Sequence, residues 1–124
     1  MSTIKVGTLL AADGSTTTQP SIPALDQRMA SAWVNFNGTG TIAIRDSYNV
    51  SSLTDISTGN TFVNFATTMA NANYTATIGD SNSGSTWTNS GRVAAFTTSS
   101  LRTITTNTGA YYDELVVCVI VMGG

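Results

Sequence analysis

The chain has 124 residues, a net charge of −2, 10% charged residues and no histidine, a length that supports one domain with a modest core plus an appendage. Ser, Thr and Asn fill more than a third of the positions, while the charged share is far below the roughly one quarter of ordinary globular chains, so the surface is built mainly of hydroxyls and amides. Lys5, Arg28, Arg45, Arg92 and Arg102 are scattered along the sequence and do not form the clusters that counterion release from nucleic acid requires.

In chain order, residues 1–31 read as an N-terminal arm with a short helix and residues 32–124 as a β domain. No basic and apolar leader opens the chain, and the longest apolar run, "LVVCVIVM" at 115–122, is far short of the ~20 residues that span a bilayer. The expectation is a soluble protein made in a cytoplasm, with no membrane insertion. After a Thr-rich stretch closed by Pro20 and Pro23, "PALDQRMA" predicts a short helix with Pro23 at its first position and Asp26 near its positive end. Ile22, Leu25 and Met29 are spaced three and four apart. That spacing fits a seam between parallel helices around an axis and fits equally a helix that caps its own domain.

From Ala32 the periodicity changes to two, and β-branched residues become abundant. "AWVNF" and "TIAIRDS" flank Asn37-Gly38, which predicts a hairpin turning at those two residues. Further strands are predicted at 61–67, 73–79, 92–98, 101–107 and 114–121, with turns at 55–60, 70–73, 80–91 and 107–112. The pattern predicts an all-β fold, an antiparallel β-sandwich or jelly roll. The last strand is apolar on both alternating faces, with Leu115, Val117, Val119 and Val121 on one and Val116, Cys118, Ile120 and Met122 on the other. Such a strand needs cover on both sides, which favours contact with another subunit. Lone Cys118 is read as a buried core residue.

No constellation for chemistry emerges. The acidic residues are isolated, and the adjacent Asp113 and Glu114 would point to opposite faces of a strand, so no carboxylate pair for glycan hydrolysis is expected. Without histidine, a serine triad and an imidazole metal site are excluded for this chain alone. "DSNSG" at 80–84 lacks the glutamate and glycine positions of a calcium loop and reads as a polar turn. The expectation is a protein that is not an enzyme and carries no cofactor or metal. What remains is a surface: the loop "DSNSGSTWTNSGR" carries Trp87 and Arg92, and "NTGAYYDE" carries Tyr111 and Tyr112. Flat rings beside amides suit sugars and other neutral polar partners, although such rings also fold back over a core edge.

The segment "AWVNFNGTGTIAIRDSYNVSSLTD" (32–55), a second "VNF" at Val63-Asn64-Phe65 and the stretch from Met69 to Tyr74 resemble a recurrent module of tail-fibre and virion-fibre proteins of tailed phages, notably cyanophages. "STIKVGTLLAADGS" resembles the N-terminal arm of these proteins, which implies attachment and trimer-forming roles for Ile4, Val6, Leu9 and Leu10. After Gly79 the likeness is confined to the closing apolar strand. The resemblance implies a homotrimeric structural protein on the tail or capsid exterior of a virion, synthesised in the host cytoplasm. It would be joined to other tail or capsid proteins by its arm and would present a β domain to a host surface glycan. The alternative within the same setting is a capsid decoration or tail connector protein that touches no receptor.

Overall fold

Ala32, Val34 and Phe36 alternate with Trp33, Asn35 and Asn37, and this period of two builds strand β1 (Ala30–Asn37), whose first-named set is buried. The computed structural model describes residues 1–16, 21–26, 28–81 and 89–124. Among them follow β2 (Ala43–Tyr48), β3 (Val50–Ser57), β4 (Asn60–Phe65), β5 (Thr75–Ser81), β6 (Asn89–Ala94), β7 (Ser100–Asn107), β8 (Ala110–Tyr111) and β9 (Val116–Met122). One helical turn, α1 (Pro23–Asp26), precedes β1.

Two antiparallel sheets form a sandwich. Sheet A has the order β2-β1-β9-β5; sheet B has the order β3-β4-β7-β6, with β8 paired to β7. Their facing rows meet in one core. Ala32, Val34 and Phe36 of β1 and Val117, Val119 and Val121 of β9 pack with Val63 and Phe65 of β4, Leu101 of β7, and Met69 and Tyr74 from the β4–β5 connection. Each such apolar side chain contributes on the order of 1.5–3 kcal/mol when fully buried. Tyr74 carries its hydroxyl into this core because it donates to the carbonyl oxygens of Thr97 (3.0 Å) and Ser100 (3.1 Å).

The sandwich closes at both sides. On one, β5 meets β6, where a Cβ on Gly91 would sit 3.1 Å from the Ile78 side chain, so a larger residue would require Ile78 to shift. On the other, the chain crosses from β2 to β3 through Asn49, whose φ is 52°. Asparagine suits this corner twice over: it tolerates the left-handed region, and its amide donates to Ser31 O and Thr67 O while Oδ1 accepts from Thr67 N at 2.6 Å.

Several expectations are corrected. The β1–β2 hairpin exists, but Asn37-Gly38 is not its two-residue turn: residues 38–42 link the strands, and the positive φ falls at Gly40. Asn37 instead organises the loop through its side chain, accepting from Thr39 N and Thr39 Oγ1. Gly38 is needed because a Cβ there would lie 2.9 Å from Glu114 O, the atom its N–H donates to. Strand β3 was not expected, since its bulges between Val50 and Ser52 and between Asp55 and Ser57 break the period of two. The β6 strand starts three residues earlier than expected and ends where Ala95 adopts φ 47°. The described helix is the single turn Pro23–Asp26, and residue 27, within the stretch from Ile22 to Met29, lies outside the described residues. Cys118 is half-buried rather than core, because β9 turns it to the outside of sheet A.

Candidate functional site

The outer faces of the two sheets have opposite chemistry. On sheet A, β9 sends Val117, Val119 and Val121 inward and Val116, Cys118, Ile120 and Met122 outward. Register then sets this apolar strip between polar neighbours on the flanking strands. Tyr48, Trp33, Ile120 and Thr77 lie side by side across four strands, and Asp46, Asn35, Cys118 and Gly79 form the next row. Ile120 is 47% exposed at its middle. Arg45, with Asp46 beside it on this face, donates to Asn35 Oδ1 at 3.2 Å and to Leu115 O at 2.6 Å. It is thereby fixed to the fold.

On sheet B the outward rows carry two arginines among hydroxyls, amides and a few apolar residues. Ser90, Thr106 and Tyr111 form one row; Arg92, Ile104 and Asn60 the next; Ala94, Arg102, Phe62 and Thr54 the third. Asn64 extends the pattern by donating to Ser52 Oγ and Thr54 Oγ1. Of the residues singled out from the sequence, Arg92 and Tyr111 thus come together on one face, and Tyr111 is 60% exposed. Tyr112 is exposed too, but alternation turns it away from Tyr111, and its backbone is held by Thr105. Trp87 lies outside the described residues. Arg102, Phe62 and Ile104 were missed: in "LRTITT" each face of the strand carries one aliphatic residue and threonine, so alternation alone does not say which face is buried. The arginine was the usable signal, because a charge on one parity marks that parity as outward.

The interior holds a carboxyl pair that the sequence did not betray, and the expectation of isolated acids is corrected here. Asp113 and Glu114 do point apart: Asp113 Oδ1 accepts from Gly59 N at 2.7 Å, while Glu114 is fully buried. Glu114 comes instead against Asp80 of β5, a neighbour only through the β5–β9 pairing. Asn89 donates to Glu114 Oε2 at 3.1 Å, while Glu114 Oε1 and Asp80 Oδ2 are shielded without a partner. Burial pushes both carboxyls above their ordinary values. For Glu114 the neighbouring Asp80 adds to the rise; for Asp80, backbone N–H groups of Asp80 and Gly91 partly oppose it. Glu114 is fully buried and Asp80 half-buried, so the ionisation of this pair bears on stability.

The remaining candidates lie in the N-terminal segment. Residues 1–16 include no strand or helix, and Ile4 (87% exposed), Val6, Leu9 and Leu10 are all uncovered. Leu25 and Met29 are exposed and Ile22 is half-buried. None belongs to the core cluster. Among the described residues no helix is long and apolar enough to cross a membrane. Comparisons with protein-family models, with curated proteins and with solved structures return no match.

Proposed function

We propose that the chain is a structural protein of a phage virion: a short tail fibre that presents a homotrimeric β domain for attachment to a host surface glycan. The segment bearing Ile4, Val6, Leu9 and Leu10 would join it to other tail or capsid proteins. One observation carries the assembled state: the most apolar strand leaves Ile120 47% exposed at the centre of a sheet face, between Trp33 and Thr77. Covering apolar surface is favourable by roughly 25 cal/mol per Å², and a covering subunit would bury Ile120 together with half-buried Trp33, Cys118 and Met122. The likeness of residues 2–15 and 32–55 to phage fibres supplies the number of copies and the setting. Attachment by contact needs area, shape and several weak sites acting together, and it requires no catalytic group.

Sedimentation velocity of the purified chain tests the assembly, with the expected species at three times the 12.9 kDa chain mass. A stable monomer at micromolar concentration overturns the trimer. Antibody-gold labelling of particles is expected to mark the tail. Label confined to the capsid replaces the fibre by a decoration protein, and unlabelled particles overturn the virion setting.

A further inference from the structure

We propose that the outer face of sheet B is a binding site for an acidic polysaccharide, with Arg92 and Arg102 as its anion-binding groups and Tyr111 as its stacking platform. The inference rests on the attachment role proposed above and names both the surface and the chemistry of its ligand.

The first support is the distribution of charge. The chain is acidic overall, yet two of its four arginines project from this face. Among the described side chains no carboxylate joins them. Asp46 lies on the outer face of sheet A, opposite Asn35. Asp55 sits opposite inward-facing Thr61 at the open edge of sheet B. Asp80 and Glu114 are inside, Asp113 is bonded to Gly59 N, and Asp13 accepts from Ser15 N in the N-terminal segment. A local patch attracts a ligand of opposite sign even when the net charge has the ligand's sign.

The second support is that the fold does not use these guanidinium groups. Arg45 is engaged through both terminal nitrogens. Arg92 is exposed and, among the described residues, has no hydrogen-bond or ion-pair partner. Arg102 Nε is shielded from water and also has no acceptor. Arginines with unused donors suit the planar, bidentate recognition of carboxylate or sulfate groups.

The third is spacing. Arg92 is directly opposite Ile104, and Arg102 is two residues along the same strand, which places the two arginines about 7–8 Å apart as diagonal neighbours. Tyr111 is one strand further, opposite Thr106, roughly 12 Å from Arg92 by sheet geometry. That span fits a short run of sugar rings, with one acidic group on each arginine and a ring face on Tyr111. Exposed Ser90, two residues before Arg92 on the same face, supplies a hydroxyl partner. A neutral glycan would leave both arginines without an anion, so the structure points to a charged one in place of the neutral partner the sequence suggested.

The test uses the full chain against immobilised polygalacturonate, dextran sulfate and neutral dextran. The acidic polymers are expected to bind and neutral dextran not, with binding weakened by salt as exposed charges are screened. Arg92→Ala should weaken binding roughly tenfold, the loss of one charge-assisted pair, and the Arg92→Ala/Arg102→Ala variant should abolish it. Lys5→Ala removes the same charge from the N-terminal segment and should change nothing. If the double variant melts early, Arg92→Glu decides, and it must abolish binding with an unchanged melting curve. Equal binding to neutral dextran, equal loss with Lys5→Ala, or full binding by Arg92→Glu overturns the site. Tighter binding to an oligothymidylate than to either acidic polymer replaces it with a nucleic-acid surface. A tail-located trimer that ignores acidic polymers defeats this inference and leaves the attachment role standing; a monomer missing from particles that still binds them does the reverse.

Discussion

The two outer faces of the sandwich are made by the same rule of alternation, yet they differ in what alternation leaves outside. On sheet A the outward row of β9 is Val116, Cys118, Ile120 and Met122; on sheet B the outward row of β7 is Arg102, Ile104 and Thr106. Both strands are central in their sheets, so position does not explain the difference. The contrast teaches that alternation fixes which residues face outward, while the residue types at those positions decide whether the face offers an exposed Ile120 or two arginines.

The comparison holds only while one core supports both faces, and Phe36, fully buried, is the place to break it. Phe36→Ala should cost about 3–5 kcal/mol in urea unfolding and destroy both faces together. The next effect separates them. Ile120→Asp places a charge in the middle of the apolar face and should reduce the assembled species to single chains in sedimentation. Its far-UV circular dichroism and its binding to acidic polymers per chain should stay unchanged.

A third change acts between the faces, at the carboxyl pair. Because burial holds Asp80 and Glu114 above their ordinary values, the folded chain keeps protons that the unfolded chain loses above about pH 4. Stability should therefore be greatest on the acid side and fall as pH rises through the folded values. Glu114→Gln gives the orphaned oxygen position a neutral amide, and denaturation at pH 7 should show a gain of about 1–3 kcal/mol with a flatter pH profile. A loss instead would mean that the charge is held by a partner absent from this account. The smallest effect sharpens sheet B alone. Thr108, at φ 50° before Gly109 at φ 84°, is a β-branched residue in the left-handed region. Thr108→Asn should raise the melting midpoint by the equivalent of about 0.5–1 kcal/mol and hold Tyr111 in place more firmly.

How much of this was legible in the sequence depends on how cleanly one face of each strand was apolar. In β1, Ala32, Val34 and Phe36 against Asn35 and Asn37 left one reading, and the observed burial follows it. In β9 both parities were apolar, so the strand was legible but its inward face was not, and Cys118 was misplaced. β3 was invisible because two bulges shift its register and leave Val50 and Leu53 as its core contacts. The Arg92–Arg102 face and the Asp80–Glu114 pair were hidden for other reasons. The Asp80–Glu114 pair depends on β5 pairing with β9, which the packing of the whole sandwich decides, whereas the Arg92–Arg102 face needs the register and facing parity of the consecutive strands β6 and β7, which the sequence left open. Arg92 and Tyr111 were nameable individually; their meeting on one face was not.

Oxidative footprinting of the full chain, read residue by residue by mass spectrometry, tests the division between the faces most directly. Trp33, Cys118 and Met122 of sheet A are expected to be protected at concentrations where the chain assembles and to become reactive on dilution or in Ile120→Asp, while Tyr111 of sheet B stays reactive throughout. Equal reactivity of both faces at every concentration would contradict the account.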